Sequence, residues 1–374
     1  MPSGVKTQVS GKDHRSQMAA IWLLLAAALL AGSRAAADSD SLSFLPDSGD
    51  ANLTAYLDND LFADTDQDYT NGARVSWISG SRDPAEFGWL QRTLDQLSED
   101  PVSRFVFSKL SGFSDPGELE YNYGFSLTQL MFTPEEWDLL EAPEGERPYA
   151  GWLGVDMSLH TKDDQALNSV SLAIGTTGPH SYAQEAQNLV HDIRGQDKFQ
   201  GWNSQIPNEV TVNVYTTQRR RVVVIDPRFS RFGIDGFVEG RLGLGTYDTG
   251  ASVGSLMRIG WNLPVDFADA RLSVTSYSHQ SFKTSRRERK SWSFYGITGF
   301  QGAAVGHNIT LDGPVFSDFS TGTSSKPLVG EVYVGFGARY QDVNFSYVHT
   351  YRSKEFEGQN SAQSFGSLTL GVRL

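Results

Sequence analysis

The sequence contains no cysteine among its 374 residues. Without thiols, neither a disulfide framework nor a thiolate-ligated metal site is available. Basic residues are also in deficit, because 31 Lys and Arg stand against 44 Asp and Glu, giving a net charge of −13. Nucleic-acid binding requires a basic face, so this balance argues against a nucleic-acid partner.

Long apolar runs are scarce as well, and only MAAIWLLLAAALLAG at residues 18–32 stands out. It follows a basic start containing Lys6, Lys12 and Arg15, and it precedes small residues at 35–37 that suit a signal peptidase. The run is shorter than the about 20 residues that a membrane-spanning helix needs. We therefore predict a signal peptide at residues 1–37 and an exported fold over residues 38–374.

Extended helical periodicity is rare, whereas alternation of apolar and polar residues recurs. In GSLTLGVRL at 366–374, leucines and valine occupy every second position, and small or polar residues occupy the others. The segments 153–160 and 210–215 follow the same pattern. A period of two residues predicts β-strands with one apolar and one polar face.

A secreted β-sandwich and a membrane barrel both show this alternation. Small and charged residues on the second face, together with the export signal, favour a barrel with lipid outside and polar groups inside. The 22 Phe, 14 Tyr and 8 Trp supply the aromatic residues that strands and membrane interfaces use. Twelve strands are expected, near 52–60, 70–80, 121–132, 151–161, 165–175, 208–218, 233–247, 250–262, 291–306, 328–340, 342–353 and 364–374. The stretches 221–226 and 269–279 leave a count of fourteen open.

The predicted fold class is all-β, a twelve-stranded antiparallel transmembrane β-barrel with an extracellular loop helix. If both termini are periplasmic, the connections at about 61–69, 133–150 and 176–207 lie outside the cell. The connection 81–120 then lies on the periplasmic side, where residues 89–97 have helix-like apolar spacing.

The amphipathic helix is predicted within the connection 176–207. Ser181 followed by Gln184 suggests a capping box, and Gly195 suggests the helix end. Gln187 and His191 are four residues apart and share a helix face. A histidine on a loop helix is usually a bystander, but neutral imidazole is also the commonest general base near neutral pH.

The other motifs give weaker evidence for a functional site. In NDLFADTDQDYTNG at 59–72, Tyr69 and Val75 stand where an EF-hand requires Gly and Glu. GASVG at 250–254 matches G-x-S-x-G but continues as strand, whereas a nucleophile elbow needs a strand-to-helix turn. Four further histidines have no partner motif in the surrounding sequence: His180, His279, His307 and His349.

Several motifs, in order along the chain, resemble those of the outer-membrane lipid A 3′-O-deacylase family, the LpxR type. They are NDLFADTDQDYTNG at 59–72, RPYAGWL at 147–153, TGPHSYAQEAQNLVH at 177–191 and GWNSQ at 201–205, with weaker support from RIGWNLP at 258–264 and LDGPVF at 311–316. The resemblance extends from the first strand to the C-terminal end. It implies a barrel with an active site between the outer wall and the loop helix, and calcium-dependent hydrolysis of ester-linked acyl chains at the 3′ position of lipid A.

The resemblance also implies roles for individual residues. The expected catalytic residues are His191, Asn59, Asp60 and Gln187, the expected substrate-binding residues are Arg147 and Tyr149, and the expected calcium ligands are Asp60 and Asp197. Lipid A within lipopolysaccharide is then the substrate, Ca²⁺ the cofactor and the bacterial outer membrane the location, and we expect a monomer surrounded by outer-membrane lipid.

Simpler interpretations stand beside this one. Asn59 and Asp60 would then only cap a strand end, and Arg147 would only pair with Glu144 or Glu146, a surface contact of little energetic value. The whole chain would be a non-catalytic outer-membrane barrel, either a pore or a structural protein.

Overall fold

The computed structural model describes residues 51–59, 68–81, 119–163, 165–195, 197–225, 232–264, 266–267, 271 and 292–374. The predicted signal peptide at 1–37, the helix-like spacing at 89–97 and, apart from Arg271, the possible strand at 269–279 lie outside the described residues.

Twelve antiparallel strands form a closed barrel in which consecutive strands pair and the last pairs with the first. They are β1 Asn52–Asn59, β2 Asp68–Ile78, β3 Glu120–Thr133, β4 Ala150–Lys162, β5 Ala166–Thr177, β6 Val210–Ile225, β7 Phe232–Gly245, β8 Asp248–Trp261, β9 Ser293–Asn308, β10 Leu328–Tyr340, β11 Val343–Arg352 and β12 Gln363–Arg373. The predicted fold class is confirmed. The stretch 221–226 is not a further strand, because β6 continues to Ile225 through an irregularity between Arg221 and Val223.

Two helices are described, α1 at Ala183–Arg194 and α2 at Ile309–Asp312. Short 3₁₀ helices precede and follow α1, at Gly178–Ser181 and Gly201–Ser204. Within the described part of the chain, no helix has the length and apolar composition to cross a bilayer. The chain divides into two compact units: Ser48–Ala186 with Phe199–Leu374 contains all the described strands, and Gln187–Lys198 belongs to the other unit.

Apolar side chains cover the outward face of the wall. In β4, Val155 and Met157 are 54% and 53% exposed, whereas Asp156 and His160 are buried. The predicted alternation at 210–215 is confirmed in the same way, with the valines exposed and the polar residues buried. Water-soluble proteins bury such apolar residues, so this arrangement is typical of a barrel wall that faces lipid.

Ion pairs occupy the interior of the barrel. Arg258 contacts Asp235 and Asp266, each at 2.5 Å, and its side chain is 0% exposed. At other points Arg74 pairs with Asp156 at 3.3 Å, and Glu331 lies between two arginines. Buried side chains therefore fill these parts of the lumen. A pore needs an open polar lumen, so this filling argues against the pore interpretation.

A buried cluster rich in aromatic residues lies inside the barrel near the end where β1 finishes and β4 begins. Trp152 donates a hydrogen bond from Nε1 to Thr211 Oγ1 at 2.8 Å, and its ring lies 4.6 Å from that of Tyr247. Phe365 and Ile309 belong to the same buried cluster. This end, called the loop end, is where the strand ends joined by six connections lie: 60–67, 134–149, 178–209, 246–247, 309–327 and 353–362. The three connections predicted to be extracellular therefore share one end of the barrel.

Candidate functional site

The loop helix α1 begins later than the capping motif predicts. Ser181 Oγ donates to the carbonyl of Gly178 at 2.6 Å within the 3₁₀ turn, and Tyr182 has a left-handed backbone with φ of 54°. Ser181 is therefore not the cap of α1, which begins at Ala183, and the predicted capping box is wrong. The predicted helix end is confirmed, because α1 stops at Arg194 and Gly195 adopts φ of +65°.

The start of α1 packs directly against the wall at Gly151. A Cβ on Gly151 would lie 2.1 Å from Ser181 Oγ and 2.4 Å from the Ala183 Cβ, both far inside normal contact distance. Gln129 on the neighbouring strand donates to the Ser181 carbonyl at 2.7 Å. Gly151 of RPYAGWL therefore lies directly against Ser181 and Ala183 of TGPHSYA. Only a residue without a side chain permits this close packing.

A second cluster joins the loop 134–149 to the segment after α1. The Tyr149 hydroxyl donates to the carbonyl of Trp137 at 3.0 Å, and its ring lies 5.3 Å from that of Trp202. Tyr149 is 0% exposed, and burial raises its pKa to about 12. A Cβ on Gly201 would lie 2.2 Å from the Tyr149 ring, which explains the glycine in GWNSQ. Tyr149 thus packs inside the protein at this end.

Arg147 is likewise buried rather than displayed to solvent. Its side chain is 0% exposed and its guanidinium lies 4.5 Å above the ring of Phe132. Among the described residues its acidic partner is Glu355, at 3.7 Å, and not the Glu144 or Glu146 expected from a surface contact. This position favours a role in holding the loops together over direct contact with a phosphate.

Asn59, the last residue of β1, lies on the outward face of the wall. Ala55 pairs with the exposed Val75, and Asn59 follows four residues later on the same face. The strand register sets six outward positions side by side in a line called the wall row: His349, Gly366, Asn59, Asn71, Met131 and Gly151. One end of the wall row therefore contacts the start of α1.

Part of the wall row is covered, unlike most of the outward face. Asn59 and Asn71 are 8% and 9% exposed, whereas Val75, on the same face of β2, is 46% exposed. Asparagine amides on the outward face of a membrane barrel are costly, so their burial marks this area as specialised. Asn71 belongs to the YTNG end of the 59–72 motif, but the sequence offers no sign that its amide lies beside Asn59.

Gln187 and His191 lie one turn apart on α1 and are 3% and 4% exposed. The His191 Nδ1 atom lies 2.6 Å from the main-chain carbonyl oxygen of Asp197. A carbonyl oxygen only accepts, so Nδ1 carries a proton, and in the neutral ring Nε2 is the basic nitrogen. An ion pair of 2.8 Å between Lys198 and Asp192 bridges the same turn.

The expected calcium ligands are described only in part. Asp60 lies outside the described residues, and the Asp197 side chain is exposed while its main chain contacts His191. Among the described residues, no group of three or more acidic or histidine side chains is arranged to hold a metal ion. The amide oxygen of Asn59 suits calcium, which accepts neutral oxygen ligands as well as carboxylates.

Comparisons with known proteins agree with the barrel fold described above. The model of the family described as outer membrane protein LpxR matches residues 21–374. The solved structure of LpxR from Salmonella typhimurium has a TM-score of 0.65 at 18% identity, covering 86% of this chain and 100% of that chain. The beta domain of the Bordetella autotransporter Brka gives a TM-score of 0.39 at 10% identity, covering 87% and 99%, which is too low for any inference. A comparison with curated proteins found no match.

Proposed function

The chain belongs to the family of the outer membrane protein LpxR, and we propose that it hydrolyses the ester-linked acyl chains at the 3′ position of lipid A. It is an outer-membrane barrel, so the lipid A of lipopolysaccharide lies in the leaflet around its loop end. The proposal makes the protein a carboxylic ester hydrolase. The observation that carries it is the buried His191 with its Nδ1 proton committed to the Asp197 carbonyl.

His191 acts as the general base in this proposal. Its Nε2 accepts a proton from water while the water oxygen attacks the acyl carbon of the ester. The bond between the acyl carbon and the sugar oxygen then breaks, and the proton passes from Nε2 to that oxygen. Fixing Nδ1 on a carbonyl keeps the ring in the required tautomer, so little ordering is needed at the moment of reaction. Gln187, on the same helix face, orients the water.

Asp60 and Asp197 are the calcium ligands in this proposal, as the family resemblance implies, and Asn59, next to Asp60 in the chain, offers a further amide oxygen. Bound Ca²⁺ would polarise the ester carbonyl and stabilise the charge developing on its oxygen. The chemistry of these ligands supports calcium, since all three offer oxygen atoms and two are carboxylates.

Arg147 and Tyr149 were expected to bind substrate. Both are 0% exposed, which supports an indirect role: Tyr149 packs on Trp202 in the segment after α1, and Arg147 pairs with Glu355 in the loop 353–362. A direct contact between Arg147 and a lipid A phosphate stays a prediction, and it would require the pair with Glu355 to open.

Mass spectrometry of lipid A from cells expressing the protein tests the proposal. Wild-type protein with calcium should produce lipid A lacking its 3′ acyl chains, and His191→Ala should not. His180→Ala is the matched control, because His180 is exposed and lies outside the proposed machinery. Unmodified lipid A from wild-type cells in calcium would refute the enzyme proposal and favour a structural barrel. Full activity of His191→Ala would remove only the proposed base.

A further inference from the structure

Three polar side chains form a hydrogen-bonded group across β11 and β12. Ser364 Oγ lies 2.7 Å from His349 Nε2, and the Tyr347 hydroxyl lies 3.3 Å from His349 Nδ1. The ring of Tyr351 stands edge-on to the imidazole with 4.6 Å between centroids. The group of Tyr347, His349 and Ser364 is called the polar trio below.

The polar trio lies on the outward face of the barrel. Val348 and Thr350 alternate with its members in β11 and are both 0% exposed, on the lumen side. Phe365, next to Ser364, belongs to the lumen cluster around Trp152. Polar side chains that face lipid are expensive in a membrane protein and usually mark a functional site. A single tyrosine would be ordinary at a membrane interface, but a histidine bonded on both sides is not.

The polar trio adjoins the candidate site through the wall row. His349 and Asn59 both pair with Gly366 of β12, from opposite sides. Neighbouring strands are about 4.8 Å apart, so His349 and Asn59 are separated by about 10 Å. Gly366 has no side chain, so no side chain of the wall row stands between the imidazole and the Asn59 amide.

Among the described residues, the outward face around the polar trio lacks the cations that bind phosphate. Within the described residues, the outward positions of β11, β12, β1 and β2 contain no lysine or arginine. Phosphate recognition in proteins relies on those two cations, above all on arginine. Amide, hydroxyl and imidazole groups instead match the hydroxyl and amide groups of an acylated amino sugar.

We propose that the polar trio is a substrate subsite that binds the neutral hydroxyl and amide groups of the acylated sugar beside the scissile ester. The inference rests on the proposed function, because it needs a glycolipid substrate held near Asn59. His349 and Ser364 act as positioning residues for the sugar, with no bond to the reacting atoms.

Steady-state kinetics of purified protein on lipid A test the subsite. His349→Leu and Ser364→Ala should raise KM about tenfold, the effect of one lost hydrogen bond, with kcat within about twofold of wild type. His349→Gln retains a donor and should recover part of the loss. Ser255→Ala is the matched control, because Ser255 is also outward-facing, pairing with the exposed Phe300 on a distant part of the wall. An unchanged KM in both His349→Leu and Ser364→Ala would overturn the inference.

Binding measurements separate this inference from the proposed function. In a His191→Ala background, which should bind lipid A without cleaving it, His349→Leu should weaken lipid A binding about tenfold. Dephosphorylated lipid A should show the same loss, since the subsite binds neutral groups. A loss confined to phosphorylated lipid A would contradict the assignment, and undiminished binding would refute the subsite even if wild-type protein proves to be a deacylase.

Discussion

Substitution of Gly151 by alanine should displace the start of α1 without opening the barrel. The new methyl carbon would lie 2.1 Å from Ser181 Oγ and 2.4 Å from the Ala183 Cβ. Carbon atoms pack at about 3.5 to 4.0 Å, so the helix start must move outward by more than about 1 Å. Overpacking of this kind costs about 1–3 kcal/mol. Because His191 is carried by the same helix, a shift of that size should lower deacylation about 100-fold.

The assay compares lipid A deacylation with the integrity of the barrel. Gly151→Ala should remain folded, judged by the heat-dependent change in electrophoretic mobility of outer-membrane barrels, while its initial rate of acyl release falls. Gly302→Ala is the matched control, since no heavy atom lies within 4 Å of the added Cβ at that outward position. Ala183→Gly, combined with Gly151→Ala, removes one of the two clashing atoms and should restore part of the rate.

Undiminished activity of Gly151→Ala would refute this reasoning, because the close packing of the wall against the start of α1 would then have no effect on the deacylation rate. Equal losses in Gly151→Ala and Gly302→Ala would also contradict it, since a general effect of alanine on the wall would explain both.

Three further substitutions or treatments follow from the same contacts. Arg147→Ala should lower the free energy of unfolding in detergent by about 2 kcal/mol, because Glu355 loses a charged neighbour, and Arg147→Lys should recover only part of it. Glu209→Gln should speed limited proteolysis of the loop 309–327, because the carboxylate accepts hydrogen bonds from the backbone N–H groups at 315 and 316 and an amide oxygen replaces only one of its two acceptors. Calcium chelation should abolish acyl release, and calcium should restore it far better than magnesium, which demands a stricter octahedral shell.

Local sequence patterns predicted the barrel because each strand carries its own alternation. The one uncertainty in strand number that the structure resolves arose in β6, where the irregularity between Arg221 and Val223 breaks the period of two. A shifted period resembles the start of a new strand, which is why the sequence leaves 221–226 open as a strand separate from 208–218. The end of α1 is also predictable from local sequence, because it depends only on the left-handed backbone of Gly195 itself.

The contacts that build the candidate site could not be predicted from local sequence patterns. Ser181 suggested a cap, but the close packing of Gly151 and the neighbouring 3₁₀ turn decide its hydrogen bond. His349 has no partner motif in the surrounding sequence, since Ser364 is fifteen residues away on the adjoining strand. Its proximity to Asn59 depends on closure of the barrel between β12 and β1, which joins the two ends of the chain.

Hydrolysis in heavy-oxygen water tests the central claim most directly. Purified protein, lipid A and calcium are incubated in water labelled with oxygen-18. The masses of the released fatty acid and of the remaining lipid A are then measured by mass spectrometry. Attack of water on the acyl carbon predicts one labelled oxygen in the fatty acid and none in the sugar hydroxyl at the 3′ position. Release of no fatty acid, or label found only in the sugar hydroxyl, would contradict the account.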